Sequence, residues 1–473
     1  MRVSSIPGPS GNTGPNISRE IATGSISSGM SSCFKLGFHR RGKQHRKQKP
    51  YERLRRAPPS QLGIERRRQP PKEAPASTGL FTTLETKDRI NLITLILSIA
   101  APRMRILHVI GGLNRGGVET WLLQVLRHID RRKYQFDFLV HTKHPCAYDH
   151  EVRSLGARVI PCLSPSHLAR YARNLLHILR ALGPYDCVHS HVHHFSGYVL
   201  TVARWAGVPM RISHSHLDTQ RDNGRKFYRF VATTMLKTSA TAGLAVSYPA
   251  AKSLFGDNWE TDPRWRVSHL GIDLEPFSVP VNSSKARAEL GIPEHAFVVG
   301  HVGRFSPQKN HTFLLEIAKE ICVRTAHAVF VLVGDGPFRS AMEVKAENLG
   351  ISRNIIFAGV RDDIVRLMKG VMDVFLLPSL YEGFPLVLIE AQAAGLPCFI
   401  ADTISSETDI VPQLITRLSL ADSAQTWAES VAKAAFRCKR INLLGSMCDF
   451  SIDAAVRRLC RVYDEQHYSN TVA

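Results

Sequence analysis

From Met104 onward the chain alternates short apolar runs with stretches of helical period. In the first half RILHVI, FDFLV, RVIPC, DCVHSH, MRISHSH and GLAVS predict strands; in the second half FVVGHVG, AVFVLVGDG, NIIFAGV, DVFLLPS and PCFIAD do so. Between them lie helical segments such as ETWLLQVLRHI, where Trp121, Leu122, Val125, Leu126 and Ile129 share one face. HTFLLEIAKEIC and LVLIEAQAAG are two more. The strands are apolar throughout rather than alternating. Such strands belong to sheets covered by helices on both faces, which means parallel β/α/β winding. Two series of this kind, divided near 274–284, predict an α/β protein of two Rossmann-like domains facing across a cleft, 104–276 and 277–448. Ligands in such folds sit at the carboxyl ends of strands, so chemistry is sought in the strand-to-helix loops.

The first hundred residues have no such rhythm. Residues 1–32 are rich in Ser, Gly and Pro, and 35–72 carry the basic runs HRRGKQHRKQKP and ERRRQPPK. This composition buries too little apolar surface to offset the entropy of ordering, so 1–103 reads as a disordered basic extension. INLITLILSIAA at 90–101 is a dozen residues long, against the roughly 20 a membrane span needs, and suits a short interfacial helix or no native element. A further reading is that the natural start is Met104, which opens the first strand directly.

Charge and cysteine content narrow the classes. The formal net charge is +21, but 19 of the 61 Lys and Arg and only 6 of the 40 acidic residues lie in 1–103, which leaves +8 for the rest. The basicity therefore belongs mainly to the tail. With no aromatic platform or zinc spacing beside it, no nucleic-acid partner is expected. The nine cysteines are scattered without a CxxC pair, as in a cytosolic protein with reduced thiols.

Three loops carry candidate chemistry. GGLNRGGVET follows RILHVI, and Gly116 and Gly117 stand where a backbone must approach a phosphate and a helix N-terminus offers free N–H groups. Its spacing is neither a Walker loop nor GxGxxG. GRFSPQKN, residues 303–310, follows FVVGHVG and places Gly303, Arg304 and Lys309 on one loop, where the two cations could bracket a diphosphate. SLYEGFPLVLIEAQAAG, residues 379–395, sets Glu382 in a loop and Glu390 on the following helix. Leu386, Val387, Leu388, Ile389 and Ala391 surround Glu390, so its charge calls for a ligand or a cation.

EGFPLVLIE resembles the E-x7-E signature of retaining glycosyltransferases of the GT-B fold, family 4 (glycosyltransferase group 1). GRFSPQKN is similar to their diphosphate loop and NRGGVE to their N-terminal Gly-Gly loop; VGDGP and FAGVRDD fall in the family's order. The resemblance covers about 104–465. It implies that Glu390 holds the ribose hydroxyls, Glu382 contacts the transferred sugar, and Arg304 and Lys309 clamp the diphosphate. Gly117 would touch the same phosphates from the other domain. Gly383, Phe384, Pro385 and Leu386 would line the donor, with backbone N–H groups of Phe384 and Leu386 adding to the cradle, and Gly359 and Val360 would lie near the base. A strand-end histidine near the donor sugar is implied, best matched by His214 in RISHSH, with His216 and HSHVHH (189–194) as rivals. Leu270 in SHLGID departs from the family's usual Asn. The final segment, 449–473, is expected to cross back onto the first domain.

TISSETDI and LITRLSLADSAQTWAE resemble the branch that builds bacterial exopolysaccharide and capsule. The reaction implied is transfer from a nucleotide-diphosphate sugar to a saccharide or lipid-linked saccharide, with retention of configuration. The resemblance places it in the cytoplasm, with peripheral contact at the inner membrane face. No cofactor and no metal are expected: HSHVHH has no acidic or Cys partner at ligand spacing. Two rivals stand beside this reading, a GT-B nucleotide-sugar epimerase or hydrolase, and a nucleic-acid or membrane-binding protein acting through the tail.

Overall fold

Among the described residues thirteen strands, all paired in parallel, build two separate sheets. The computed structural model describes residues 103–163, 166–217, 226–434 and 444–472; the basic extension up to residue 102 and the run at 90–101 lie outside the described residues. The first sheet consists of β1 (Met104–Ile110), β2 (Tyr134–Val140), β3 (Arg158–Pro161), β4 (Cys187–Ser190), β5 (Met210–Ser215), β6 (Ala242–Ala245) and β7 (Trp265–Val267). The second consists of β8 (Phe297–Val302), β9 (Ala328–Val333), β10 (Ile355–Gly359), β11 (Val374–Leu377), β12 (Cys398–Ala401) and β13 (Ile415–Leu418).

The strand orders are β3-β2-β1-β4-β5-β6-β7 and β10-β9-β8-β11-β12-β13. Winding therefore reverses between β1 and β4 in one sheet and between β8 and β11 in the other. The loops leaving strands on either side of a reversal diverge and open a crevice. Three of the four loops at the two reversals are the Gly-Gly loop after β1, GRFSPQKN after β8 and the Glu382 loop after β11; the fourth, after β4, carries the HSHVHH histidines. β7 and β13, at the sheet edges, had no apolar run to announce them. β7 is three residues long, and each strand carries an Arg that is ion-paired, Arg266 to Glu465 and Arg417 to Asp409.

The last helix, Ile452–Val472, packs on the first sheet's domain. Its Ala455, Leu459, Val462 and Tyr463 are buried, the Tyr463 hydroxyl meets His189 Nδ1 at 2.8 Å, and Asp464 accepts from Lys133 Nζ and Tyr134 Oη, each at 2.8 Å. Where the chain crosses back, Ile272 N–H donates to Phe450 O at 2.9 Å and Ile452 N–H to Ile272 O at 2.7 Å. A Cβ at Gly271 would stand 2.3 Å from Ser451 O, so only glycine fits at this crossing. Leu270 is buried in the core.

Candidate active site

In the loop after β8 the Lys309 stem lies across Gly303, whose added Cβ would meet Lys309 Cε at 3.0 Å. Lys309 Nζ donates to Glu382 Oε1 at 2.6 Å, and Gln308 Nε2 to Glu382 Oε2 at 3.1 Å. Leu380 N–H donates to Gln308 O at 2.8 Å. These bonds fuse the loops after β8 and β11 into one polar platform around a buried carboxylate. The sequence reading gave Lys309 to the diphosphate and Glu382 to the sugar; the fold joins them as an ion pair. Arg304 stands apart from it. Its side chain is exposed and makes no hydrogen bond or ion pair among the described residues.

The helix Leu386–Ala393 begins after Pro385, whose extended backbone turns the chain into the first turn. Gln392, on the inner side, donates to Thr408 O and accepts from Val411 N–H, both at 2.8 Å, which ties the helix to the segment after β12. Phe384 is buried, stacked with His269 at 5.4 Å between ring centroids. Glu390 is half-buried and has no hydrogen-bond or ion-pair partner among the described residues. Burial pushes its carboxyl up to about 7. No cation pairs with it among the described residues.

The first domain faces this platform with the loop after β1. A Cβ at Gly117 would meet nothing, so packing does not demand that glycine and the space beside it is open for an approaching ligand. Glu119, in the first turn of Gly117–His128, folds back over Gly116, where a Cβ would stand 2.3 Å from its Oε2. Burial pushes Glu119 up to about 7, while its own backbone N–H and the charge of Arg304 on the other domain oppose the rise. The sequence reading quoted Glu119 within NRGGVE without giving it a role. An acidic residue in the first turn after the two glycines was the signal available.

Direct contacts close the seam between the domains. A Cβ at Gly383 would stand 2.0 Å from His216 O, and Ser247 Oγ donates to Gly383 O at 2.8 Å. Glu407 of the TISSETDI segment accepts from Tyr248 N–H at 2.8 Å and bonds His269 Nε2 at 2.9 Å. Arg115 and Asp362 form an ion pair at 2.8 Å. The loop carrying Glu382 is thus gripped by the first domain through its next residue.

The other expected residues divide. Gly359 adopts the left-handed φ of +67° at the end of edge strand β10, and Val360 beside it is exposed. His214 is 1% exposed and packs edge-on against Trp121 at 5.5 Å, with both ring nitrogens unpartnered. Burial first, then neighbouring imidazoles, hold it well below the usual histidine range. His216, two residues on, is the one whose backbone reaches the Glu382 loop.

A half-buried carboxylate without a partner, a free guanidinium, a Lys–Glu platform and an open glycine helix start can together hold a ribose, a diphosphate and a hexose. Residues 115–276 match the domain family Glycosyltransferase Family 4, and 282–435 match Glycosyl transferases group 1. A protein of Bacillus subtilis (strain 168) named "Putative glycosyltransferase EpsF" is 38% identical over 370 residues, covering 76% of this chain and 96% of EpsF. An Escherichia coli enzyme, UDP-Gal:alpha-D-GlcNAc-diphosphoundecaprenol alpha-1,3-galactosyltransferase, is 29% identical over 298 residues, 60% of this chain and 76% of the relative. Among solved structures, Anabaena HepE in complex with UDP and glucose matches with a TM-score of 0.65 at 20% identity, over 77% of this chain and 100% of HepE, a likeness of fold. The chain belongs to the group 1 and Family 4 glycosyltransferases, hexosyl-transferring enzymes of the GT-B fold that act on nucleotide sugars.

Proposed function

We propose that this glycosyltransferase moves a hexose from a uridine-diphosphate sugar to a lipid-linked saccharide, with retention of configuration, in the synthesis of a cell-surface polysaccharide. The observation that carries the donor assignment is Glu390, a half-buried carboxylate without a hydrogen-bond or ion-pair partner among the described residues, on the helix after β11. Two adjacent ribose hydroxyls supply the hydrogen bonds its oxygens lack. The base assignment draws on the Escherichia coli relative and on the UDP complex of HepE.

In the transfer, the bond between sugar C1 and the β-phosphate oxygen breaks as C1 bonds to the acceptor oxygen. The acceptor's hydroxyl proton passes to the departing phosphate oxygen on the same face of the sugar. Negative charge grows on the diphosphate, and Arg304, Lys309 and the backbone N–H groups at Gly117, Phe384 and Leu386 stabilise it there. In this scheme side chains, not a metal ion, offset the charge of the leaving group. Glu382, already bonded to Lys309 and Gln308, accepts from the sugar hydroxyls. No side chain is assigned as a covalent nucleophile.

Support for a membrane-borne acceptor comes from the first domain's surface. Trp205, Phe227, Phe230 and Val231 are 62%, 80%, 70% and 38% exposed on two helices that pack together, Ser196–Trp205 and Lys226–Ser239. Arg204 and Lys237 lie on the same helices, as on a surface that rests on an anionic bilayer. No helix among the described residues is long and apolar enough to cross a membrane. The enzyme would then work peripherally, at the cytoplasmic face.

The experiment is a panel of UDP-, GDP- and ADP-sugars scored by thermal stabilisation, then assayed with undecaprenyl-diphosphate saccharides and product anomers read by NMR. UDP-sugars should stabilise the enzyme selectively and yield an α-linked product from an α-linked donor. Inverted product removes the retention assignment. Sugar released or altered equally well without acceptor would favour the hydrolase or epimerase reading.

A further inference from the structure

Five imidazoles meet on one face of the first sheet: His108 on β1, His189 and His191 at the end of β4, and His214 and His216 at the end of β5. The two-residue period of a strand puts alternate histidines on one side, and the β1–β4 register sets His108 beside His189. The ring centroids of His189 and His191 are 4.3 Å apart, those of His214 and His216 4.2 Å, and His191 lies 5.2 Å from His216. None of the five is more than 9% exposed. Burial pushes His108 and His216 down to about 3 and the other three well below the usual range.

Their hydrogen bonding is incomplete. His108 Nδ1 bonds His191 Nε2 at 3.0 Å, His191 Nδ1 bonds His216 Nε2 at 2.9 Å, and His189 Nδ1 bonds Tyr463 Oη at 2.8 Å. His108 Nε2, His189 Nε2, both nitrogens of His214 and His216 Nδ1 have no partner. A buried polar atom left unpaired is destabilising, and phenylalanines at these positions would bury no polar atom.

We propose that His191, His214 and His216 form a binding site for a divalent transition-metal ion of the zinc class. One nitrogen from each lies within 4.8 Å of the others. Small ring rotations bring the three to bond lengths of about 2.0–2.1 Å around one ion. An all-imidazole donor set suits zinc, copper or nickel and disfavours magnesium and calcium, which take oxygen ligands. His191 keeps its Nε2–H for His108 Nδ1, which fixes the tautomer that ligates through Nδ1. His108, His189 and His191 form a second triad within the same 4.8 Å. The outer triad is chosen because it contains His214, whose two nitrogens are both orphaned, and His216, which borders the domain seam at Gly383. Three neutral ligands leave the ion's charge uncompensated, so the fourth ligand is hydroxide or an anion entering from the cleft.

The segment HSHVHH holds no complete ligand set of its own, because the other two ligands of this triad come from the end of β5. The site lies in the first domain, whereas the cations assigned to the diphosphate, Arg304 and Lys309, lie in the second. The inference therefore does not rest on Arg304, Lys309 or Glu390, and the Co(II) readout stands whether or not their donor assignment does.

The test uses the untagged full-length chain, stripped with a chelator and titrated with Co(II), then Zn(II). One equivalent of Co(II) should give the visible absorption of a four-coordinate site, and one equivalent of Zn(II) should bleach it. His214→Ala and His216→Ala should abolish the band, His108→Phe should weaken affinity by about 10–100-fold, and His144→Ala at an exposed position should change nothing. If the alanine variants do not fold, His214→Gln and His216→Gln take their place, with far-UV circular dichroism as the check. Folded wild-type chain that binds no stoichiometric Co(II) overturns the proposal. So does binding that survives His216→Ala and is lost in His189→Phe, which would assign the deeper triad.

Discussion

Glu390 sits where stability and binding conflict. An unfolded glutamate titrates near 4.5, and in the fold burial raises this to about 7. The raised value contributes stability below the unfolded pKa, and that stability is lost as pH rises through the folded one. Glu390→Gln should therefore stabilise the ligand-free enzyme above about pH 7 by roughly 1–3 kcal/mol, while nucleotide-sugar affinity collapses. Thermal melts at two pH values and a donor titration check both halves; unchanged donor affinity would remove Glu390 from the site. The two cations should behave differently. Arg304 is exposed and unpaired, so Arg304→Ala should leave the melting temperature in place and lower kcat by about 10²–10³. Lys309 neutralises the buried Glu382, so Lys309→Ala should lower kcat and also destabilise by about 2–4 kcal/mol. Equal melting temperatures for the two variants would contradict the ion pair as a structural element. Glu382, Glu390, Arg304 and Lys309 were all legible in the sequence because each stands in a short contiguous segment after an apolar strand. The Lys309–Glu382 bond was not, since its partners lie in different loops.

Among the elements, the loop after β11 is the one held from both sides. Gly383 meets His216 O so closely that no Cβ fits, and Ser247 grips the same peptide. Gly383→Ala must push the seam open or displace Glu382. A misplacement of about 1 Å costs on the order of 10²-fold in rate, so kcat/KM should fall by about that factor with the fold intact by circular dichroism. The last helix makes a matching case. Tyr463→Phe removes the hydroxyl on His189 Nδ1 and leaves a buried nitrogen without a partner, which should cost about 1–3 kcal/mol in denaturant unfolding. Apolar runs announced the central strands, because strands covered on both faces must be apolar throughout. β7 and β13 were invisible to that rule, since an arginine interrupts each short strand from within, Arg266 in WRV and Arg417 in ITRL.

Over the whole molecule the buried histidines set the response to acid. His108, His141, His189, His191, His193, His214, His216, His301 and His311 are all held below the ordinary value of 6.5, chiefly by burial. A depressed histidine contributes stability above its unfolded pKa that is lost as pH falls toward the folded one. Glu119 and Glu390, raised to about 7, act in the opposite direction between 4.5 and 7, but they are two groups against nine. The metal-free enzyme should therefore lose stability steeply below about pH 6.5, with net proton uptake on unfolding. Urea midpoints measured from about pH 8 down to 5 test this, and a flat profile would mean that the imidazole cluster is hydrated and open.

The sequence by itself determined the class of the molecule. Periodicity pointed to two parallel sheets, and three ordered loop motifs resemble the nucleotide-sugar loops of the family, because both kinds of signal are written in contiguous residues. Only the tertiary structure decided what lies between those segments. It sets Glu119 opposite Arg304, Lys309 on Glu382, His216 against Gly383, and five histidines from three strands together. Those pairings depend on strand order and on the closing of two domains. No local spacing in the chain encodes either.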